Sequence, residues 1–217
     1  MTHHSSLTAL PELSHARSSG SFILSSIDSS PAAHPIASVL SSLHRSDLIL
    51  LSPFPMRVPL RSLPISPYPV PVGTPIRAHF VSETRPKEDG WKPWIGSMWS
   101  KWVEGTVLGY RDFSGREAMV GPLVSWHGSP LLRRYAPQPG TYDALSHMHF
   151  HPLPTTGSSG GPIVDESTGA VVGVILGTQM NSSIEGVRGW GVPAETIFEV
   201  RAERSLVNPT LICLSDV

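Results

Sequence analysis

The chain has 217 residues, enough to bury a core as one domain or as two small ones. Apolar residues make up 40% and charged residues only 15%, and the formal net charge is −1. This composition excludes a coiled coil, a charged disordered tail and a nucleic-acid-binding protein built on a basic surface. The 19 glycines and 22 prolines indicate many turns and few long helices, which favours an all-β fold.

The sequence contains no recognisable targeting signal that assigns a cellular compartment. The single cysteine, Cys213, cannot form an intramolecular disulfide, so nothing suggests an oxidising environment. The apolar runs are far shorter than the roughly 20 residues of a membrane helix, and residues 1–13 do not follow the secretory pattern. We therefore expect an intracellular location and no membrane partner.

The first half of the chain predicts three strands followed by a linker. Short apolar runs bounded by Ser, Pro or Gly predict strands at 21–27, 35–40 and 47–52. Residues 53–75 contain eight prolines, which remove ladder donors and favour an extended connection over the surface. A first β unit over 1–52 is therefore expected to be followed by a linker over 53–75.

The second half predicts a larger β unit over 76–204. Its strands are expected at 75–83 and 102–110, in a hairpin over 161–177, and at 186–192. Pro193 then fits the first turn of a C-terminal helix. The tail over 205–217 follows no recognisable pattern.

The motif that suggests catalysis is Gly-Ser-Ser-Gly-Gly-Pro at 157–162, directly before an Ile-Val strand. Glycines allow a tight turn that points consecutive N–H groups at one place, which is how an oxyanion hole is built. Ser159 would then place its hydroxyl beside the N–H groups of Gly157 and of Ser159 itself. The motif alone is equally typical of a glycine-rich turn without chemistry.

In its context the motif resembles that of the trypsin-like (chymotrypsin-fold) serine peptidases, especially the disulfide-free HtrA-like branch. The family motif Gly-x-Ser-Gly-Gly-Pro precedes a strand, a turn and a second strand ending in glycine, as residues 157–177 do here. Residues 189–193, Gly-Trp-Gly-Val-Pro, are similar to the strand before the family's final helix. The resemblance implies an all-β, chymotrypsin-like double β-barrel with a C-terminal helix, a polypeptide substrate, and neither metal nor cofactor.

The resemblance also implies a Ser-His-Asp triad. Ser159 would be the nucleophile, and Asp47 would orient the base. Asp47 opens the run Asp-Leu-Ile-Leu-Leu, which matches the family pattern Asp-(Leu/Ile)-Ala-Leu-Leu except that Ile49 replaces Ala. Asp47 lies far before Ser159 in the chain, in the order that the family requires.

The base has two candidates, His4 and His15. The family's Thr-x-x-His motif is approximated by Thr2-His3-His4, with the histidine one position early, whereas His15 lies at an acceptable distance before Asp47. We take His4 first and His15 as the alternative. His34 lies too close to Asp47 in the sequence for this role.

Residues for substrate binding follow from the same resemblance. Leu153, six positions before Ser159, would form the floor of the pocket for the substrate side chain. Ile175, Gly177 and Gly191 would form its walls. An apolar pocket of this kind predicts cleavage after medium-sized apolar residues rather than after Lys or Arg.

The sequence departs from the family pattern at the first barrel, because the strands expected before the catalytic His are either absent or belong to a longer product of which this chain is a fragment. The chain would then carry a remnant of that barrel over 1–52, truncated at its N-terminus, with an open edge where a further protein could pair. This favours an alternative function, in which the chain is a catalytically inactive trypsin-like homologue that binds peptides or protein partners.

Two other patterns invite functional interpretations. Four tryptophans lie between 91 and 102, where packing or a surface loop is favoured over a ligand platform. His147, His149 and His151 alternate along one strand face, but no cysteine or carboxylate completes a zinc pattern, so no metal site is predicted.

Overall fold

A computed structural model describes residues 22–27, 30–55, 62–118, 145–182 and 186–197. Strands dominate these ranges, with short 3-10 turns at His44–Ser46 and Ile95–Ser97 and a helical turn at 195–197. The strands, in chain order, are β1 (Phe22–Ile27), β2 (Ser30–Leu43), β3 (Leu48–Pro53), β4 (Pro75–Ser82), β5 (Lys92–Pro93), β6 (Trp99–Arg111), β7 (Glu117–Ala118), β8 (His147–His151), β9 (Pro162–Asp165), β10 (Val171–Ser182) and β11 (Gly186–Pro193).

Six of these strands close into a barrel. The antiparallel pairings run β4–β9–β10–β11–β8–β6, and β6 pairs back onto β4 to complete the ring. Alternation along each strand fills its interior: on β4, Ile76, Ala78 and Phe80 are buried, whereas the intervening Arg77 faces outward. The remaining core side chains are Val107, Tyr110, Met148, Phe150, Ile163, Val172 and Ile175.

The first three strands form a separate antiparallel sheet in the order β1-β2-β3. Strand β2 is longer than the predicted 35–40 and continues through Pro35, which lacks an N–H but whose carbonyl accepts the N–H of Phe54 at 3.0 Å. Within the described ranges, the outer edges of β1 and β3 pair with no further strand.

The proline-rich segment predicted as a linker lies against the barrel. Ser66 N–H donates to the carbonyl of Val171 at 2.8 Å, and Val171 N–H donates to the carbonyl of Pro64 at 2.7 Å. Farther along, the Tyr110 hydroxyl donates to the carbonyl of Val70 at 2.7 Å. The described part of this segment is therefore hydrogen-bonded to the barrel at several points.

The predicted fold class is confirmed: the protein is all-β, with a closed six-stranded barrel, a three-stranded first sheet and a small helix. The predicted hairpin is also confirmed as β9 and β10, although β10 extends to Ser182. Of the predicted C-terminal helix, 195–197 are helical and 198–204 lie outside the described residues, as does the tail over 205–217. In the ranges described, no helix is long and apolar enough to cross a membrane.

Candidate active site

Ser159 lies in a tight turn that leads into β9. Two consecutive hydrogen bonds form it, from Ser158 N–H to the carbonyl of Thr155 at 3.1 Å and from Gly161 N–H to the carbonyl of Ser158 at 2.9 Å. Gly157 adopts a φ of +95°, a left-handed conformation that a residue with a Cβ rarely takes. The turn leaves Ser159 exposed to solvent.

The turn is fixed to β10 on one side. Gly160 N–H donates to the carbonyl of Ile175 at 2.8 Å, and Ile175 N–H donates back to the carbonyl of Gly161 at 2.9 Å. The Ser159 hydroxyl donates to the carbonyl of Leu176 at 2.7 Å. Leu176 sits in a β-bulge, because the pairing of β10 with β11 shifts between Ile175 and Gly177. The bulge therefore supplies the acceptor that holds the Ser159 hydroxyl.

The backbone N–H groups predicted to form an oxyanion hole are those of Gly157 and Ser159. In the part of the chain that the structure describes, the N–H groups of Gly157 and Ser159 donate to no backbone carbonyl. Those of the neighbouring Ser158, Gly160 and Gly161 all do. The N–H groups of Gly157 and Ser159, on either side of the buried Ser158, are thus left without a backbone acceptor in the turn that carries the Ser159 hydroxyl.

Ser159 and Asp47 line the same open cleft, which has a volume of about 340 Å³. Asp47 follows the 3-10 turn His44–Ser46 and adopts a left-handed conformation, with φ 49° and ψ 41°, immediately before β3. Its side chain is exposed, and it is the one ionisable residue among the described residues that line the cleft. The lining residues are Asp47, Leu48, Ile49, Leu50, Ser159, Gly160, Val174, Ile175, Leu176 and Ile197.

The candidate bases, His4 and His15, both lie outside the described residues, so the complete triad stays a prediction. None of the histidines in the described ranges lines the cleft. The structure thus brings together two of the three predicted catalytic residues, Ser159 and Asp47.

The predicted pocket residues occupy different environments. Leu153 is 46% exposed and is not among the residues that line the cleft. Ile175 is fully buried in the barrel core, so only its main chain could meet a substrate. Gly191 is buried, and a Cβ there would lie 2.7 Å from the carbonyl oxygen of Val174. Gly177 borders open space.

Two of the three alternating histidines on β8, His147 and His149, pack against neighbouring strands, whereas His151 is exposed. His149 is buried with its Nε2 3.1 Å from Gln179 Oε1, and the His147 ring meets the Trp190 ring edge-on at 4.5 Å. Burial, together with repulsion from His149, lowers the pKa of His147. No group of three His, Cys, Asp or Glu in the described ranges is placed to hold a metal ion.

The tryptophan-rich segment surrounds the outward-facing His79 of β4. The His79 ring lies 5.3 Å from the Trp94 ring and 5.0 Å from the Trp102 ring, and burial lowers its pKa. Arg85 lies 5.0 Å from the ring centroid of Trp99. The contacts are those of side chains packed on the outer face of the barrel.

The sequence interpretation missed two residues that support the candidate site, Thr155 and Ser158. Ser158 is buried, and its Oγ accepts the N–H of Val81 at the end of β4 at 3.0 Å. Thr155 Oγ1 donates to the carbonyl of Val81 at 2.8 Å. No local pattern links these hydroxyls to their shared partner, because Val81 lies in a distant strand, 77 residues from Ser158 in the chain.

Comparisons with known proteins find distant likenesses of overall shape. No protein-family model and no curated protein matches the chain. Among solved structures, the apo form of the MamO protease domain from Magnetospirillum magneticum is similar, with 14% identity, a TM-score of 0.48, and coverage of 84% of this chain and 76% of that chain. The inactive form of a serine-to-alanine mutant of Rv3671c from M. tuberculosis H37Rv is also similar, with 17% identity, a TM-score of 0.46, and coverage of 82% of this chain and 68% of that chain.

Proposed function

We propose that the protein is a trypsin-like serine endopeptidase with Ser159 as its nucleophile. One observation carries the proposal: the exposed Ser159 hydroxyl shares an open cleft with Asp47, although the two lie far apart in the sequence. The unused N–H groups of Gly157 and Ser159 in the same turn support it further. A structural glycine-rich turn would need neither the cleft nor a pair of free donors.

The proposed reaction is acyl transfer to serine followed by hydrolysis. Ser159 Oγ attacks the scissile carbonyl while His4, or alternatively His15, takes its proton, and Asp47 orients the imidazole. The N–H groups of Gly157 and Ser159 stabilise the oxyanion of the tetrahedral intermediate. The imidazolium then protonates the leaving amine, and water hydrolyses the acyl-enzyme. Before attack, Ser159 must exchange its hydrogen bond to Leu176 for one to the base.

The proposed substrate is a polypeptide with an apolar side chain at the cleft. Leu48 and Leu50 line one wall and Val174 and Leu176 the other, and Asp47 supplies the only charge among the described lining residues. Because the proposed triad uses Asp47 to hold the imidazole, a cationic substrate side chain would find no second counter-charge among the described lining residues, whereas burying an apolar one contributes roughly 1.5–3 kcal/mol. Apolar residues are therefore preferred over Lys and Arg before the scissile bond.

Labelling with a fluorophosphonate probe tests the proposal, because the probe modifies only an activated serine. We expect labelling of the wild-type protein, none of Ser159→Ala, and wild-type labelling of the control Ser114→Ala. Ser114 is also exposed, but it lies in the turn between β6 and β7 and does not line the cleft. His4→Ala and His15→Ala, compared in the same assay, identify the base.

The alternative is an inactive homologue that binds peptides or protein partners, and the same experiment separates the two. Its support is the three-stranded first sheet, whose outer edges are unpaired in the described ranges and could accept a strand of a partner. Peptide binding without labelling of Ser159 would favour this alternative. Loss of labelling in Ser159→Ala alone favours the peptidase.

A further inference from the structure

A closed ring of hydrogen bonds lies beneath the candidate nucleophile turn. Val81 N–H donates to Ser158 Oγ at 3.0 Å, and Thr155 Oγ1 donates to the carbonyl of Val81 at 2.8 Å. The two hydroxyl oxygens lie 2.9 Å apart. Either hydroxyl can donate to the other, and Ser158 Oγ also lies 3.4 Å from the carbonyl of Val81. Both polar groups of the Val81 backbone are thereby satisfied by side chains.

The position of the ring follows from the end of a strand pairing. Strand β9 pairs with β4 only over Ile76 to Ala78, because β9 begins at Pro162, which has no N–H to donate. Beyond that point Val81 is buried and its N–H and carbonyl need other partners. Ser158 and Thr155 supply them and so replace the missing stretch of neighbouring strand.

We propose that Ser158 and Thr155 are positioning residues of the active site, an inference that rests on the proposed function. Ser158 lies between Gly157 and Ser159, the two residues whose N–H groups would form the oxyanion hole. Because Ser158 is 1% exposed and its hydroxyl is bound to β4, the exposed residues on either side of it, Gly157 and Ser159, are held in place. The ring thus sets the direction of both donors and holds the Ser159 hydroxyl at the cleft.

The test uses paired variants of Thr155 in the full chain. Thr155→Val removes the hydroxyl at constant shape, whereas Thr155→Ser keeps it and removes only the methyl group. We expect Thr155→Val to lower the maximal rate of fluorophosphonate labelling at least about tenfold, without changing the half-saturating probe concentration, because the donors are misdirected. Thr155→Ser should restore the wild-type rate.

Amide hydrogen exchange of residues 155–161 gives a second readout that needs no activity. Exchange in this segment should rise about tenfold in Thr155→Val and in Ser158→Ala, but not in Thr155→Ser. Thr168→Val serves as a control, since it also removes a threonine hydroxyl, one that donates to Asp165 Oδ2 at 2.9 Å in the neighbouring hairpin turn. It should leave labelling and exchange of 155–161 unchanged.

The outcomes separate the two proposals. Wild-type protein that resists labelling refutes the peptidase, while exchange still decides whether the ring holds the turn. Exchange at the wild-type level in both Thr155→Val and Ser158→Ala would overturn the inference. So would a labelled wild-type protein whose labelling rate is unaffected by Thr155→Val.

Discussion

Gly191 offers a test of whether β10 and β11 pack as closely as the structure shows. In Gly191→Ala the new Cβ would lie 2.7 Å from the carbonyl oxygen of Val174 and 3.1 Å from Ile163 Cδ1. Both distances fall short of the roughly 3.5–4.0 Å at which non-bonded carbon atoms attract. Ile163 could change its rotamer, but the Val174 carbonyl belongs to β10, so relief requires the paired strands to separate.

The expected cost is that of overpacking a buried site, about 1–3 kcal/mol in the free energy of unfolding. For a chain of this length, each kcal/mol shifts the melting temperature by about 2–4 °C. We therefore expect Gly191→Ala to melt roughly 2–12 °C below the wild type. Gly109→Ala is the matched control, because a Cβ at Gly109 in β6 meets nothing within 4 Å. Its backbone is also not left-handed, so its stability should change by less than about 1 kcal/mol.

Thermal and urea unfolding followed by tryptophan fluorescence measure both variants. The result also bears on Gly191 as a predicted wall of the substrate pocket, because peptide cleavage can be compared at a temperature where every variant is folded. If Gly191→Ala had the same melting temperature as the wild type and Gly109→Ala, the packing argument would be refuted. A change in KM without a loss of stability would mean that substrate contact, rather than strand packing, requires glycine there.

Three further predictions concern the anchored segment, the hairpin turn and specificity. Tyr110→Phe should lower the free energy of unfolding by about 1 kcal/mol in urea titrations, since it removes the bond to the carbonyl of Val70; an unchanged midpoint would refute the anchoring. Although partial burial acts to raise it, hydrogen bonds from Ser167 and Thr168 hold the pKa of Asp165 below its usual value. The stabilisation is therefore present above about pH 4 and lost as the pH falls below that value, so the destabilisation by Asp165→Asn should be about 1–2 kcal/mol at pH 7 and smaller at pH 3. Profiling of cuts in a denatured protein mixture should show cleavage after apolar residues, and a majority after Lys or Arg would refute the apolar cleft.

Local patterns predicted most of the strands in the described residues, but not the two-residue strands β5 and β7 or the full length of β2. The hairpin of β9 and β10 followed from alternation and from the polar turn between its strands. The anchoring of the proline-rich segment did not, since it depends on main-chain bonds to Val171, which lies far along the chain. Proline content reports the local extended conformation but not which surface the segment meets.

In the candidate site, too, the local features were predicted from the sequence and the long-range contacts were not. The roles of Gly157 and Ser159 were predicted from one short motif, and among the described residues their N–H groups donate to no backbone carbonyl. The ring under it was not predicted, because Thr155 and Ser158 gain their meaning only from Val81. Single hydroxyls carry no sequence signal for such long-range partners.

The two halves of the candidate site also differ in what holds them. Hydrogen bonds to β4 and β10 fix the turn of Ser159, and both strands belong to the closed barrel. Asp47 instead precedes β3, at the edge of a three-stranded sheet with no other strand partner in the described ranges. A displacement of the first sheet would therefore move Asp47 relative to Ser159 without breaking the hydrogen bonds that hold the turn. Activity of the proposed peptidase would then depend on the first sheet through the placement of Asp47, whereas the oxyanion donors would stay in position.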